Sequence, residues 1–260
     1  MPGFLNLFSI GMFVGYVSGL FGKGGSAIAT PLLQMAGTPA FLAVASPLPA
    51  TIPGTIVAAY VYLRRKIYDK DVILWSAIAG FPATILGAWL SKFTSGQSLL
   101  LLSNLMLILL GVGFILPAKK NGQGTAVDEP KQIRRSIPLN MGIAAVVGLA
   151  SGLLANAGGF LLAPLYAKVL RVPLKVAFAC SIIVSMILAV PGTLVHLELG
   201  HISWRIVLYF GLGSIPLSYL GASSAVRMPL RILTPLFGIV NVVIGIFGTA
   251  DALGLHWLHI

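Results

Sequence analysis

The sequence predicts an all-α, polytopic membrane protein made of two inverted repeats, each a re-entrant helical hairpin plus three transmembrane helices. Three observations carry this reading. The composition is too apolar for a water-facing surface, a Gly-rich motif occurs twice, and basic residues gather in loops that can share one side. Hydrophobic residues make up 57% of the 260-residue chain and charged residues 9%, with a mean hydropathy of +0.97. Soluble domains carry about 25% charged residues, so this chain cannot cover a surface in water. Several of its apolar stretches also reach the roughly 20 residues that cross a bilayer.

The first repeat covers 1–117. Its hairpin occupies 4–36, and the apolar arm 4–21 leads into GLFGKGGSAIATP, Gly19 to Pro31. Glycine weakens a helix and admits backbone shapes that other residues resist. At membrane depth, non-helical backbone survives only where protein shields it or a wet cavity meets it. The run therefore predicts a break near the centre of the molecule, with a return helix beginning near Ser26. Spans follow at 44–63, 72–92 and 98–117. The first of these holds SPLPATIPG, Ser46 to Gly54, whose prolines predict an interruption. A linker at 118–137 contains AKKNGQGTAVDEPKQIRRS, rich in glycine and mixed charge. The second repeat, 138–260, has a hairpin at 139–170 that breaks at GLLANAGGFLLAP, Gly152 to Pro164, and returns near Gly159. Its spans lie at 174–197, 203–225 and 230–249.

The duplication is read from matched positions. Gly15, Ser18, Gly19, Leu20, Gly25 and Pro31 align at one offset with Gly148, Ser151, Gly152, Leu153, Gly158 and Pro164. Later, Pro82, Leu86, Gly87 and Ala88 match Pro216, Leu220, Gly221 and Ala222. Internal symmetry of this kind recurs in transporter folds. Gly11, Gly15 and Gly19 form a ridge that Gly148 and Gly152 partly repeat, and it reads as a helix-packing face.

The net charge of +11 reads as a topology signal and needs no nucleic-acid partner. If both broken segments are re-entrant, Arg64, Arg65, Lys66, Lys70, the linker cations, Lys168, Arg171, Lys175, Arg227 and Arg231 share one side. Only Lys92 and Arg205 take the other, and Lys23 sits at a hairpin tip. Full crossings by those segments would split the cations far more evenly. The expectation is a multi-pass protein of the cell membrane, with a cytoplasmic linker and both termini outside. The arm 4–21 could span about 27 Å as a helix, more than half a membrane requires.

Two hairpins entering from opposite faces would meet near the midplane. Each return helix presents N–H groups and the positive end of its dipole, a pairing suited to oxyanions. Gly22, Lys23, Gly24, Gly25 and Ser26 would form one lip and Asn156, Gly158 and Gly159 the other. A lysine at that depth usually serves function, although it can also snorkel to an interface. Ser46, Thr51, Ser181 and Ser185 could add hydroxyls, against the common alternative of bonding back to their own helix. His196, Glu198 and His201 stand at one span end and read as solvated interface residues or, alternatively, as a proton-responsive gate. Cys180 reads as a buried, inert thiol. No cofactor or metal is implied, since no ligand set with carboxylate support occurs. An enzyme is disfavoured too, because no Gly-x-Ser-x-Gly elbow and no paired carboxylates appear.

SGLFGKGGSAIATPLL and SGLLANAGGFLLAPLY, with VPGTLVHLELGHISW and LSYLGASSAVRMPLRIL, resemble the sulfite exporter TauE/SafE family of membrane permeases over nearly the whole chain. The resemblance implies transport of sulfite, sulfonates or other small organic or sulfur-containing anions. Lys23 and Ser26 stand where members commonly carry an apolar residue and a glycine, which favours a more strongly anionic substrate. The expected partners are a small anionic substrate and the lipid bilayer. A saturable secondary transporter and an anion channel with downhill flux are both compatible with the site. Coupling to a proton or to sodium stays open, as does assembly into a homodimer.

Overall fold

The structure is a computed structural model that describes residues 2–21, 25–115, 136–156 and 158–254. Among these residues the regular structure is helical, with no strand. The first half contains α1 (Phe4–Phe21), α2 (Ser26–Met35), α3 (Ala40–Ala45), α4 (Pro47–Arg64), α5 (Lys70–Leu90) and α6 (Gly96–Ile115). The second contains α7 (Ile137–Leu153), α8 (Gly159–Lys168), α9 (Leu174–Glu198), α10 (Trp204–Arg227) and α11 (Leu230–Ala252). Seven helical segments among the described residues are long and apolar enough to cross a membrane, α3 and α4 together forming one of 25 residues. This is the all-α, multi-span class that composition demands.

Local chemistry sets several boundaries. Asp69 Oδ1 accepts from the N–H groups of Asp71 (2.9 Å) and Val72 (3.2 Å), so α5 starts on a carboxylate cap. The interruption expected over Ser46 to Gly54 is narrower than its prolines suggest. The helix breaks only at Ser46, and α4 then runs on through Pro49 and Pro53. Pro47 and Pro49 fall in the first turn, where their missing N–H groups had no intrahelical acceptor anyway. The apolar stretch that begins at 44 in the sequence becomes helical from Ala40.

Glycine controls how the helices meet. Cβ atoms added at Gly11, Gly15 and Gly19 of α1 would strike the backbone of Phe210, Ser214 and Ser218 of α10. Both series ascend together, so α1 and α10 run parallel with their backbones in contact. Likewise Gly148 and Gly152 of α7 press on Gly80 and Thr84 of α5, again in parallel. Close approach of this sort is what small residues permit within a bilayer. By contrast, Gly111 of α6 meets Gly238 of α11, and Gly245 of α11 meets Asn104 of α6, so that pair runs antiparallel. α4 lies against α9 and α10, and α5 against α9. The spans Ala40–Arg64 and α9 are 61% and 67% buried, against 39% for α5 and α11, which makes them the inner pair.

The basic residues collect at one end of these helices. Arg64 closes α4, Lys70 opens α5, Lys168 closes α8 and Arg227 closes α10. Lys168 Nζ reaches the Gly113 carbonyl (3.1 Å) and Lys175 Nζ the Val226 carbonyl (2.8 Å), in keeping with that shared end. At the opposite end Lys92 Nζ sits 3.7 Å above the Trp89 ring, an arrangement typical of a membrane interface.

Candidate functional site at two glycine-capped helix starts

Both chain reversals rest on a glycine that nothing else could replace without strain. Gly25, before α2, has φ 76° and Gly158, before α8, has φ 70°, a left-handed conformation costly for residues with a Cβ. A Cβ on Gly25 would lie 3.1 Å from Ser18 Cβ and from Val14 Cγ1, and one on Gly158 would lie 3.1 Å from Ser151 Cβ and Val147 Cγ1. The return helices therefore start tight against the arms that precede them. Their depth follows from the neighbours. Gly15 lies beside Ser214, near the middle of α10, and Gly148 beside Gly80, the middle of α5. Both helix starts sit at about half the height of these long helices.

Around Gly158 the turn is closed by specific bonds. Asn156 N–H donates to Ser151 O (2.8 Å), and Gly158 N–H donates to Asn156 Oδ1 (3.0 Å). The N–H groups of Leu161 and Leu162 take Gly158 O, both at 3.0 Å. The earlier N–H groups of Gly159 and Phe160 have no carbonyl in their own helix to reach. Beside them Asn156 is 2% exposed, and its Nδ2 has no partner among the described residues. A buried amide donor without an acceptor is unfavourable by about 1–3 kcal/mol. The first reversal repeats the backbone pattern: Ile28 N–H and Ala29 N–H both donate to Gly25 O at 3.1 Å. Ser26 is buried at its first turn. Gly22, Lys23 and Gly24 lie outside the described residues.

Three of the four hydroxyl residues predicted for the site donate to carbonyls of their own helices. Thr51 Oγ1 donates to Leu48 O (3.2 Å), Ser181 Oγ to Phe178 O (2.9 Å) and Ser185 Oγ to Ser181 O (2.6 Å). These bonds stay within the helix that carries each residue, as helical Ser and Thr often do. Ser46 Oγ accepts from Ser203 N–H at 2.9 Å and so ties the α3–α4 break to the loop before α10.

A feature that the sequence reading missed recurs in the two halves. Tyr62 OH donates to Gly19 O (3.3 Å) at the end of α1, and His196 Nε2 bonds Gly152 O (3.0 Å) at the end of α7. Gly19 and Gly152 are matched positions in the last turns of their helices, and Gly152 O also accepts from Ala155 N–H at 3.2 Å. His196 is 1% exposed, so the expectation of a solvated interface residue fails for it: its ring fills a buried capping position. Because the Gly152 carbonyl can only accept, His196 carries its proton on Nε2. His196 Nδ1 lies 3.3 Å from His201 Nδ1, so the two rings are in hydrogen-bond reach. His201 in turn stacks on Phe41, with ring centroids 4.5 Å apart. Cys180 is buried as expected, its Sγ 3.3 Å from the Asp69 nitrogen.

Helices apolar enough to span a membrane, with two broken, glycine-capped segments at half depth, describe a permease architecture. The profile of the sulfite exporter TauE/SafE family matches residues 7–248. The chain belongs to that family. A probable membrane transporter protein of Bacillus subtilis, YunE, is 26% identical, covering 93% of this chain and 96% of that protein. A probable membrane transporter protein of Xylella fastidiosa is 27% identical over 91% of each chain. The probable membrane transporter protein YfcA of Escherichia coli K12 is 24% identical over 97% of this chain and 93% of its own length. No solved structure matches the chain. As a TauE/SafE protein it is a multi-pass membrane transporter.

Proposed function

We propose that this TauE/SafE protein is a secondary transporter of a small anion, namely sulfite, a sulfonate or a related organic anion, held at mid-depth by the two glycine-capped helix starts. The observation that carries the proposal is the unpartnered Nδ2 of buried Asn156 beside the free N–H groups that open α8. All of these are donors, and an oxyanion offers only acceptors. Lys23, at the other reversal, would add the single positive charge. Gly25 and Ser26 then line one side of the anion and Gly158 and Gly159 the other, and Gly22 and Gly24 belong to the same glycine-rich run of the sequence.

The helix directions support an inverted relation between the halves. Matched elements α6 and α11 run antiparallel, while α1 pairs with α10 as α7 pairs with α5. A two-fold axis lying in the membrane plane generates this exchange of partners. It also bears on the moving parts. The chain halves cannot rock as separate bodies, because α1 is locked to α10 and α7 to α5. Alternating access would instead move α1, α4 and α10 against α5, α7 and α9. By the charge rule the basic end faces the cytoplasm, which puts both termini outside the cell membrane.

The test is flux in proteoliposomes with sulfite, sulfate, thiosulfate, sulfoacetate and small carboxylates. Saturable uptake with counterflow of at least one of these is expected. Lys23→Ala should lower it by about 10-fold or more, and Asn156→Ala should raise KM several-fold, in line with the loss of a charge-assisted or buried hydrogen bond. Flux linear in concentration and without counterflow would make the protein a channel. Unchanged kinetics in both variants would remove the site from these residues. Imposed proton and sodium gradients identify the coupling ion.

A further inference from the structure

A recess separate from the two glycine-capped helix starts lies at the basic end. The last turns of α4 and α10 stand side by side there and enclose a recess of about 360 Å³. Its walls are Tyr60, Val61, Arg64 and Arg65 from α4 and Tyr219, Ser223 and Arg227 from α10. No carboxylate lines it. Among the described residues none of the three guanidinium groups has an ion-pair or hydrogen-bond partner. Three such cations in one recess repel one another, and the pull of two helix C-termini offsets this only in part. A phosphate group answers the geometry, since guanidinium forks match its oxygens two at a time. Tyr60, Tyr219 and Ser223 supply further hydroxyl donors.

The recess opens onto the lipid-facing side of the bundle. Tyr60 is 55% and Tyr219 47% exposed, and the neighbouring Ile56, Leu63, Leu212 and Leu220 are exposed apolar side chains on the same two helices. The α4–α10 surface therefore passes from apolar side chains, through a pair of tyrosines, to three arginines. That sequence of chemistries parallels an amphiphile with acyl chains, a glycerol region and an anionic head. A small soluble anion would use the arginines and leave the apolar stretch unaddressed. We infer that the recess formed by Arg64, Arg65 and Arg227 binds the phosphate of an anionic phospholipid whose acyl chains lie along the groove between α4 and α10.

The experiment uses the full-length protein in mixed micelles. Thermal stability and native-mass-spectrometric lipid retention are followed while phosphatidylglycerol is added. Phosphatidylcholine with the same acyl chains and inorganic phosphate serve as comparison arms. Phosphatidylglycerol is expected to raise Tm saturably and to be retained, with little effect from the other two. The double variant Arg64→Gln/Arg227→Gln should bind it at least 10-fold more weakly, and Arg64→Lys/Arg227→Lys should keep much of the affinity. Arg205→Gln, at the opposite end, should behave as wild type. If the Gln double variant does not fold, Ser223→Trp, which fills the recess without removing a charge, should give the same loss of retention. Equal retention in the wild type and whichever of these two variants folds overturns the inference. So does stabilisation by inorganic phosphate that phosphatidylglycerol does not exceed, which would make the recess a site for soluble anions.

Discussion

The beds that hold the two hairpins occupy matched positions and use opposite chemistry. Under the second hairpin, Tyr166 OH of α8 donates to Ser76 Oγ (2.6 Å), and Ser76 donates to Asn140 Oδ1 (2.9 Å). Asn140 Nδ2 then donates to the Val72 carbonyl (3.1 Å). Under the first hairpin the corresponding positions are Leu33, Phe210 and Leu7, all buried. A chain of hydrogen bonds under one hairpin does the work of an apolar cluster under the other. The glycine contacts, by contrast, recur in both halves. The difference teaches which features are negotiable. Side chains filling a bed can be polar or apolar provided every polar group is satisfied. Backbone touching backbone leaves no room for any Cβ, so only one residue type serves there.

The largest effect should come from the shared feature. Gly15→Leu and Gly148→Leu each drive a side chain into the backbone of a neighbouring helix, at Ser214 and Gly80 respectively. Both variants should lose the monodisperse, cooperatively melting species in detergent, since overpacking of this kind has nowhere to relax. A well-folded Gly15→Leu protein would show that the α1–α10 contact is looser than described.

A smaller effect separates the two beds. Ser76→Ala leaves the buried Tyr166 hydroxyl and Asn140 Oδ1 short of a partner, so it should lower stability by about 1–2 kcal/mol. Converting the whole set to the first-half residues, as Asn140→Leu/Ser76→Phe/Tyr166→Leu, should recover much of that loss. Denaturation in mixed micelles measures both. A triple variant less stable than Ser76→Ala would mean that the beds differ in shape as well as chemistry.

The smallest effect concerns the loop between α9 and α10. Burial holds His201 below its ordinary value of about 6.5. The unfolded chain therefore takes up the proton first as pH falls, and stability present above about pH 6.5 is lost progressively below it. His201→Asn should flatten the acid limb of a Tm-against-pH curve. An unaltered slope would assign that limb to another group.

Much of the fold was legible because its causes are local. Length and hydropathy mark the spans, and the clustered glycines mark where α1 and α7 stop. The ridge at Gly11, Gly15 and Gly19 shows its packing purpose in its four-residue spacing. What it packs against was not legible, because α10 lies far along the chain and any long helix could have served. Prolines misled where position mattered more than identity: Pro47 and Pro49 occupy a first turn and cost that helix no bond. His196 looked solvated because it stands near a span end. Its match with Tyr62 at the offset that relates Pro82 to Pro216 was the available clue to its burial. The isolated amides of Asn140 and Asn156 in apolar runs were signals of the same kind. The sequence suggested a ligand for Asn156 but said nothing of the network around Asn140.

The glycine-to-backbone seam between α1 and α10 has a consequence for how the protein is made. The ribosome delivers α1 well before α10, the helix it is shaped to meet. Until α10 follows, the naked glycine face of α1 must wait in the bilayer against lipid or an insertion factor. Assembly therefore finishes late and nearly all at once, and a nascent chain arrested at the linker would hold two of the pieces, α1 and α5, with neither of their mates.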